Sequence, residues 1–555
     1  MLELIPPMKN PLPHILALLL AAPFATSQEV ASTLLVSNAI GKTNSAEILN
    51  LIPNTPTWAA VGGAEGVNRT LFTQTGDPRD ILGVRDIRKG QFLYLGQSDA
   101  TGRLEYEFTI PDTPGMSAMN VYIQVWSENP SGSGDNQYER FSYVVLLKPN
   151  YEGEWRDNEE ALPNGLVHSA HVVLSENQWG GAEEVLICGG AFSLFQESTT
   201  PFEPTNEAWI WNTNTETLTP VDPMPIPLAG HTATRMDDGR VLVVGGVVGS
   251  HGDAATGYKN IVSPTALIFE GGGGNGSWDL AGQPAMSTPR VFHESVLLDD
   301  GRVLVIGGAN GGGVISSFED AMGEGLTTTE IYDPLGNGWG VYWFSGPDLP
   351  GQTVGGGVVK SATQWPNPGN HQILIAGGFE DGVVHGNLYG IDALATLASS
   401  IGSMDSRALF SIERVERVGD DNAIFVGGGF TGDVVSGGAG LTVLNTTQLY
   451  KPSRVTGWYR FVDSTDLPLG LAMGTAVQGL HHDKKIYIAG GVDQFRSGGS
   501  ILMTFNPDDE TTESGRTSNQ DHGGGIVVMV GNGAIGVVGG AGSTASSTEG
   551  EKLTP

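Results

Sequence analysis

The chain has 555 residues, 28 basic against 61 acidic side chains for a formal net charge of −33, 81 glycines and a single cysteine. So acidic a surface repels nucleic acid and anionic lipid, which removes both as expected partners, and one cysteine cannot form an intrachain disulfide. Strand-like runs interrupt the glycines throughout, so the glycines read as turns rather than disorder.

In chain order, the first element is a leader. Ile15-Leu-Ala-Leu-Leu-Leu-Ala-Ala22 is an apolar core followed by the small-residue pattern Pro23-Phe-Ala25-Thr-Ser27. It is shorter than the roughly 20 residues needed to span a bilayer, so residues 1–27 read as a secretory signal peptide and no membrane insertion is expected. The mature protein is then secreted, to an extracellular or periplasmic location.

Residues 28–150 carry a β pattern. Phe92-Leu-Tyr-Leu95, the turn Asp99-Ala-Thr-Gly102 and the alternating Leu104–Ile110 predict a hairpin, and 119–126 and 141–147 predict two further strands. The segment has the size of an immunoglobulin-like β-sandwich, without the disulfide of antibody domains, and reads as a spacer or adhesion module.

Residues 151–555 are organised by a recurring short apolar run that ends in two glycines. The pairs are Gly189-Gly190, Gly245-Gly246, Gly307-Gly308, Gly377-Gly378, Gly427-Gly428, Gly490-Gly491 and Gly539-Gly540, at intervals of 56, 62, 70, 50, 63 and 49 residues. A run of four or five aliphatic residues bounded by turns suits a strand buried on both faces. Asp-Asp-Gly-Arg at 237–240 and 299–302 suits a tight turn into that run. Two glycines after it let backbones converge where a Cβ would crowd them. Third strands follow at 207–212, 265–269, 330–333, 387–390, 447–450 and 501–505, and Trp278, Trp339 and Trp458 open fourth strands.

This pattern resembles the kelch-repeat family, with a period near 50 residues. The resemblance implies an all-β fold, a seven-bladed propeller preceded by the small sandwich. Only Ala541 to Pro555 follow the last pair, too few for two strands, so residues 151–156 are expected to pair with the C-terminal blade and close the ring.

Function is expected on the loops after the diglycine strands, because all emerge on one face. They supply His251, Asp253, Glu319, Asp320, Glu380, Asp381, His385, Asp433, Asp493 and Arg496 as candidate ligand-binding residues. No catalytic residue or metal ligand is assigned. The acidic residues do not follow a calcium-loop spacing, so no cofactor is expected, calcium being the one ion left open.

His168, His231 and His293 read as matching positions before first strands. Phe410 and Gly525 stand at corresponding places, which favours packing over metal ligation.

The expected function is a secreted scaffold that binds a protein or carbohydrate ligand, with the oligomeric state left open. The alternative is a carbohydrate-active enzyme, a glycoside hydrolase or lyase, with two carboxylates across the propeller mouth or His385 paired with Arg496. Copper radical oxidases of the galactose oxidase type share kelch blades. Their chemistry needs a Tyr linked to Cys, a second Tyr and two His, whereas Cys188 sits within a strand directly before a diglycine, so that activity is not expected.

Overall fold

The computed structural model describes most residues from Ser32 to Leu553. Residues 1–31 and, among longer internal stretches, 66–83, 113–120, 129–137, 193–201, 362–370 and 542–549 lie outside the description. The expected leader therefore falls outside the described residues, as do Trp458 and Arg496.

The chain is all-β and divides into two compact units, one formed by residues 1–35, 43–109 and 118–149, the other by 36–42, 110–117 and 150–555. In the first unit, Thr43–Leu49 pairs with Ser32–Leu35 and Leu104–Thr109. Pro56–Gly62 lies between Phe92–Gln97 and Val121–Glu128 in a second sheet. Phe92–Gln97 and Leu104–Thr109 thus belong to different sheets and do not form the expected hairpin. The turn between them, held by Asp99 Oδ1 accepting from Thr101 N (2.8 Å) and Arg103 N (3.0 Å), carries the chain from one sheet to the other. Ile48, Leu51, Ala59 and Val125 from both sheets are buried together.

The second unit contains seven four-stranded antiparallel sheets among the described residues. Sheet 3 is typical, with Glu294–Leu297, Val303–Ile306, Thr329–Tyr332 and Trp343–Ser345 in that order. Its second strand is buried at every residue, as the uninterrupted aliphatic run requires. Its fourth strand opens on Trp343. Trp339, expected there, instead stands 91% exposed in the preceding turn.

Sheet 7 draws on both ends of this unit, since Trp155–Asp157 pairs with Gly550–Leu553, Trp155 lying opposite Leu553.

The diglycines lock neighbouring sheets together. The second glycine donates its N–H to the carbonyl just before the next sheet's first strand: Gly190 to Leu228 (2.8 Å), Gly246 to Arg290 (2.8 Å), Gly308 to Thr353 (2.9 Å), Gly378 to Arg407 (2.9 Å), Gly429 to Leu471 (2.7 Å). Gly540 of sheet 7 donates to Leu166 O, just before the strand Ala170–Glu176, at 2.9 Å. The same bonds correct the fifth pair. Its glycines at positive φ are Gly428 (67°) and Gly429 (95°), whereas Gly427 belongs to the strand, because this run holds three glycines and the register falls on the last two.

Candidate functional site

At the diglycine end of the sheets the loops interlock. The residue after each pair bridges antiparallel to the residue entering a first strand, as Ala229 with Val247 and Val291 with Ala309. Beyond these bridges, Val247–Asp253 and Gly257–Val262 form a hairpin, and Val314–Ile315 from the next loop adds a third strand opposite Asn260 and Ile261.

The remaining loops join the same frame. Ser250 Oγ holds Phe202 by accepting from its N–H (2.9 Å). Gly382 N donates to Met322 O (3.2 Å), and Val384 N to Gly432 O (2.9 Å). The loops of sheets 1 to 5 therefore form one hydrogen-bonded collar over an apolar cluster that includes Phe202, Val262, Phe318, Met322 and Phe379.

Most candidate residues are engaged in holding this collar. Asp253 Oδ1 accepts from Ala255 N (2.9 Å) in the hairpin turn. Ser317 caps a short helix, Phe318–Gly323, by accepting from Asp320 N (3.1 Å), and the Asp320 carboxylate completes the cap by accepting from Ser316 N (2.8 Å). No helix is expected from the sequence here. A Ser-x-x-Asp spacing before an apolar residue is the one signal for it.

Asp381 occupies a turn at φ 49°, followed by Gly382 at 77°, and Asp433 bridges to Val383. His251 and Asp253 are exposed on the hairpin, Glu319 is half-buried, and Asp493 is exposed.

His385 is locked. Its Nδ1 accepts from Asn387 N (3.1 Å), so Nε2 carries the proton and donates to Gln352 O (3.1 Å). Burial holds its pKa below the ordinary imidazole value, against the opposing influence of Glu380 and the Gln352 carbonyl. Both ring nitrogens are hydrogen-bonded to the backbone. Its neighbours are Tyr389, whose hydroxyl accepts from Asn387 Nδ2 (3.2 Å), and Glu380, which accepts weakly from Gln352 N (3.4 Å). Arg496, the expected partner of His385, lies outside the described residues.

The histidines before the first strands are not equivalent. His231 and His293 do correspond, but His168 stands one position earlier, level with Gly230 and Phe292. His231 is fully enclosed and pushed down to about 4, and His293 falls well below the usual imidazole range; burial dominates in each. His231 Nε2 lies 3.7 Å from Cys188 Sγ, and His293 Nε2 lies 3.1 Å from Thr232 Oγ1. Burial pushes the Cys188 thiol up to about 12, which makes it an inert packing group.

The positions level with His168 share a left-handed backbone: His168 (φ 56°), Gly230 (66°), Phe292 (52°), Gly355 (60°), Leu409 (50°), Met473 (58°) and Gly524 (66°). Backbone bonds link them, Gly230 N to His168 O (2.9 Å), Phe292 N to Gly230 O (3.1 Å), Leu409 N to Gly355 O (2.7 Å) and Met473 N to Leu409 O (2.6 Å). Where glycine stands beside a large residue in this series, the cause is packing. A Cβ on Gly230 would sit 3.2 Å from the Phe292 ring, and one on Gly355 would sit 2.7 Å from Leu409.

Along the unpaired inner edges of the sheets stand three groups that the repeat pattern conceals. Enclosure pushes Glu294 up to about 7 and Glu413 up to about 8, the latter against the lowering effect of Arg414, and pushes His171 down to about 4. Glu294 is nonetheless exposed to solvent. Their only sequence signal is a charge inside an otherwise small or aliphatic first strand.

No family model matches the chain, and no curated protein does. Solved structures do match, among them a fungal alcohol oxidase of the AA5 family in complex with copper, at 15% identity and a TM-score of 0.48, over 73% of this chain and 76% of that one. This corrects the expectation of no cofactor, with calcium the ion left open, since the neighbour's structure contains copper. The copper stays a property of that protein.

The lone cysteine is a high-pKa thiol against His231, and no three His, Cys, Asp or Glu side chains among the described residues converge as ligands.

Proposed function

We propose that this chain is an exported, seven-bladed kelch-type propeller, preceded by an immunoglobulin-like β-sandwich, that binds a protein or carbohydrate ligand on its collar of diglycine-strand loops. The observation that carries the reading is the collar's construction. Loops from five sheets are hydrogen-bonded into one frame, and Asp320, Asp381 and His385 serve that frame. A pre-formed surface binds with little ordering cost, and His251, Asp253 and Glu319 give it a polar rim around apolar packing.

The test is a glycan and peptide binding screen on the full chain, with mass-spectrometric analysis of every hit for product. Saturable binding without turnover, weakened by His251→Ala with Asp253→Ala, is the expected result. Turnover of a hit overturns it.

A further inference from the structure

We infer that the collar contains a binding pocket for one compact apolar group, set beside the ring of left-handed residues between His168 and Phe292. Three observations meet there. A cavity of ≈ 30 Å³ lies among loops of sheets 1 to 3. Its floor is buried and almost wholly apolar, with Val247, Val291, Ile315 and Phe318. Its rim, which includes His168 and Phe292, is half-exposed, so the space communicates with solvent.

The rim side chains are held at a cost. A bulky residue at positive φ is a backbone outlier, yet His168 and Phe292 take φ 56° and 52°, at positions where Gly230, Gly355 and Gly524 show that glycine serves the same backbone. The two rings meet edge to face at a centroid separation of 5.4 Å, and His168 also meets Phe202 at 6.3 Å. Leu409 and Met473 take the same backbone at the corresponding positions of other sheets (φ 50° and 58°), so the ring admits large side chains, and beside the cavity those side chains are aromatic. Retaining aromatic side chains builds a wall.

The chemistry of that wall selects the ligand. The hydroxyl groups of a sugar ring would each need a polar partner when buried, and two polar side chains of the lining are already engaged: Asn260 Oδ1 accepts from Ser250 Oγ (2.8 Å) and Ser317 Oγ accepts from Asp320 N. A small apolar void instead gains by admitting a hydrocarbon group. The group is carried either by a free small molecule or by an aliphatic side chain of a peptide. This deepens the reading of the collar as a binding platform and rests on it.

The test follows the methyl resonances of Val247, Val291 and Ile315 by NMR in the full chain, titrated with xenon, N-acetyl-leucine amide and N-acetyl-serine amide. Xenon and the leucine amide are expected to shift these methyls and the serine amide to leave them in place. Shifts with xenon alone would assign the pocket to free small molecules. Val247→Ile, which adds one methylene to the floor, is expected to weaken binding by about fourfold, and Phe292→Gly to weaken it further while keeping a backbone glycine accepts.

No shift with either apolar probe, equal shifts with the serine amide, or unchanged binding in Val247→Ile overturns the inference. If the methyls stay silent while a hit from the binding screen still binds the collar, the pocket fails and the platform reading survives.

Discussion

Replacing Arg290 with leucine and, separately, Glu330 with glutamine is expected to give sharply unequal losses of stability. Arg290 has no exposed side-chain surface. Its guanidinium donates to Gly307 O (2.8 Å) and Thr328 O (3.1 Å) and pairs with Glu330 Oε1 (3.0 Å), and Glu330 also accepts from Ser287 N (2.7 Å) and Thr288 N (3.0 Å).

Sheet 5 supplies a natural control. There Arg407 donates to Gly428 O (3.1 Å) and Thr446 O (3.0 Å) in the same pattern, but Gln448 takes the place of Glu330 and accepts from Asp405 N (3.1 Å). Burial lowers Arg407 only to about 10, so it stays charged at neutral pH.

The fold therefore tolerates a guanidinium bound to carbonyls and the Thr446 hydroxyl (3.2 Å), with glutamine in place of the carboxylate. Glu330→Gln should cost at most about 1.5 kcal/mol, the scale of one net hydrogen bond. Arg290→Leu strands a buried carboxylate and two carbonyls and should cost about 3–5 kcal/mol. The double variant should be less damaged than Arg290→Leu. Urea unfolding at pH 7, followed by tryptophan fluorescence, measures all three. Equal losses in the two single variants, or a double variant that adds them, would refute the reasoning.

Three further expectations follow from the same structure. Glu413 is raised from 4.5 to about 8, so its contribution to stability is fully present below pH 4.5 and lost as pH rises through 8. At about 1.4 kcal/mol per pKa unit the shift sets an upper bound near 5 kcal/mol. Solvent reaching this half-buried side chain reduces that to about 1–2 kcal/mol, and Glu413→Gln should remove that much of the stability lost between pH 4.5 and pH 9, whereas identical pH profiles would count against it. His385→Ala should cost about 1–3 kcal/mol by leaving Gln352 O and Asn387 N unpaired, without changing ligand affinity, and nitrogen-15 NMR of the wild type should show the Nε2–H tautomer. Deleting residues 550–555 removes the strand between Ile535–Val538 and Trp155–Asp157 and the buried Lys552–Glu216 pair (3.2 Å); the truncated chain should unfold at a lower temperature and over a broader range than the full chain in calorimetry, and an unchanged profile would count against this.

The sequence carried the repeat clearly because a strand buried on both faces must be apolar throughout. Val303-Leu-Val-Ile306 and its counterparts leave little else to read. The fifth pair slipped by one residue because three glycines satisfy the pattern in two registers, and only the bond from Gly429 N to Leu471 O decides between them. His168 was aligned with His231 for a similar reason: side-chain identity carries no record of φ.

The hairpin expected at 92–110 failed because alternation fixes which face a residue takes and not which sheet a strand joins. At the collar, acidic residues in loops looked like free ligands. The capping role of Asp320 and the locked tautomer of His385 depend on partners supplied by folding. Glu294, Glu413 and the cavity beside Phe292 depend on neighbouring sheets being brought side by side, information that no single repeat contains.

The most direct test of the central claim is to titrate a hit from the glycan and peptide screen against the wild type and a His251→Ala/Asp253→Ala/Glu319→Ala variant by calorimetry, while monitoring the ligand for product. Saturable binding that falls at least about tenfold in the variant, the scale of 1.4 kcal/mol, with the ligand recovered intact, is the predicted result. Affinity unchanged in the variant, or conversion of the ligand, would contradict the account.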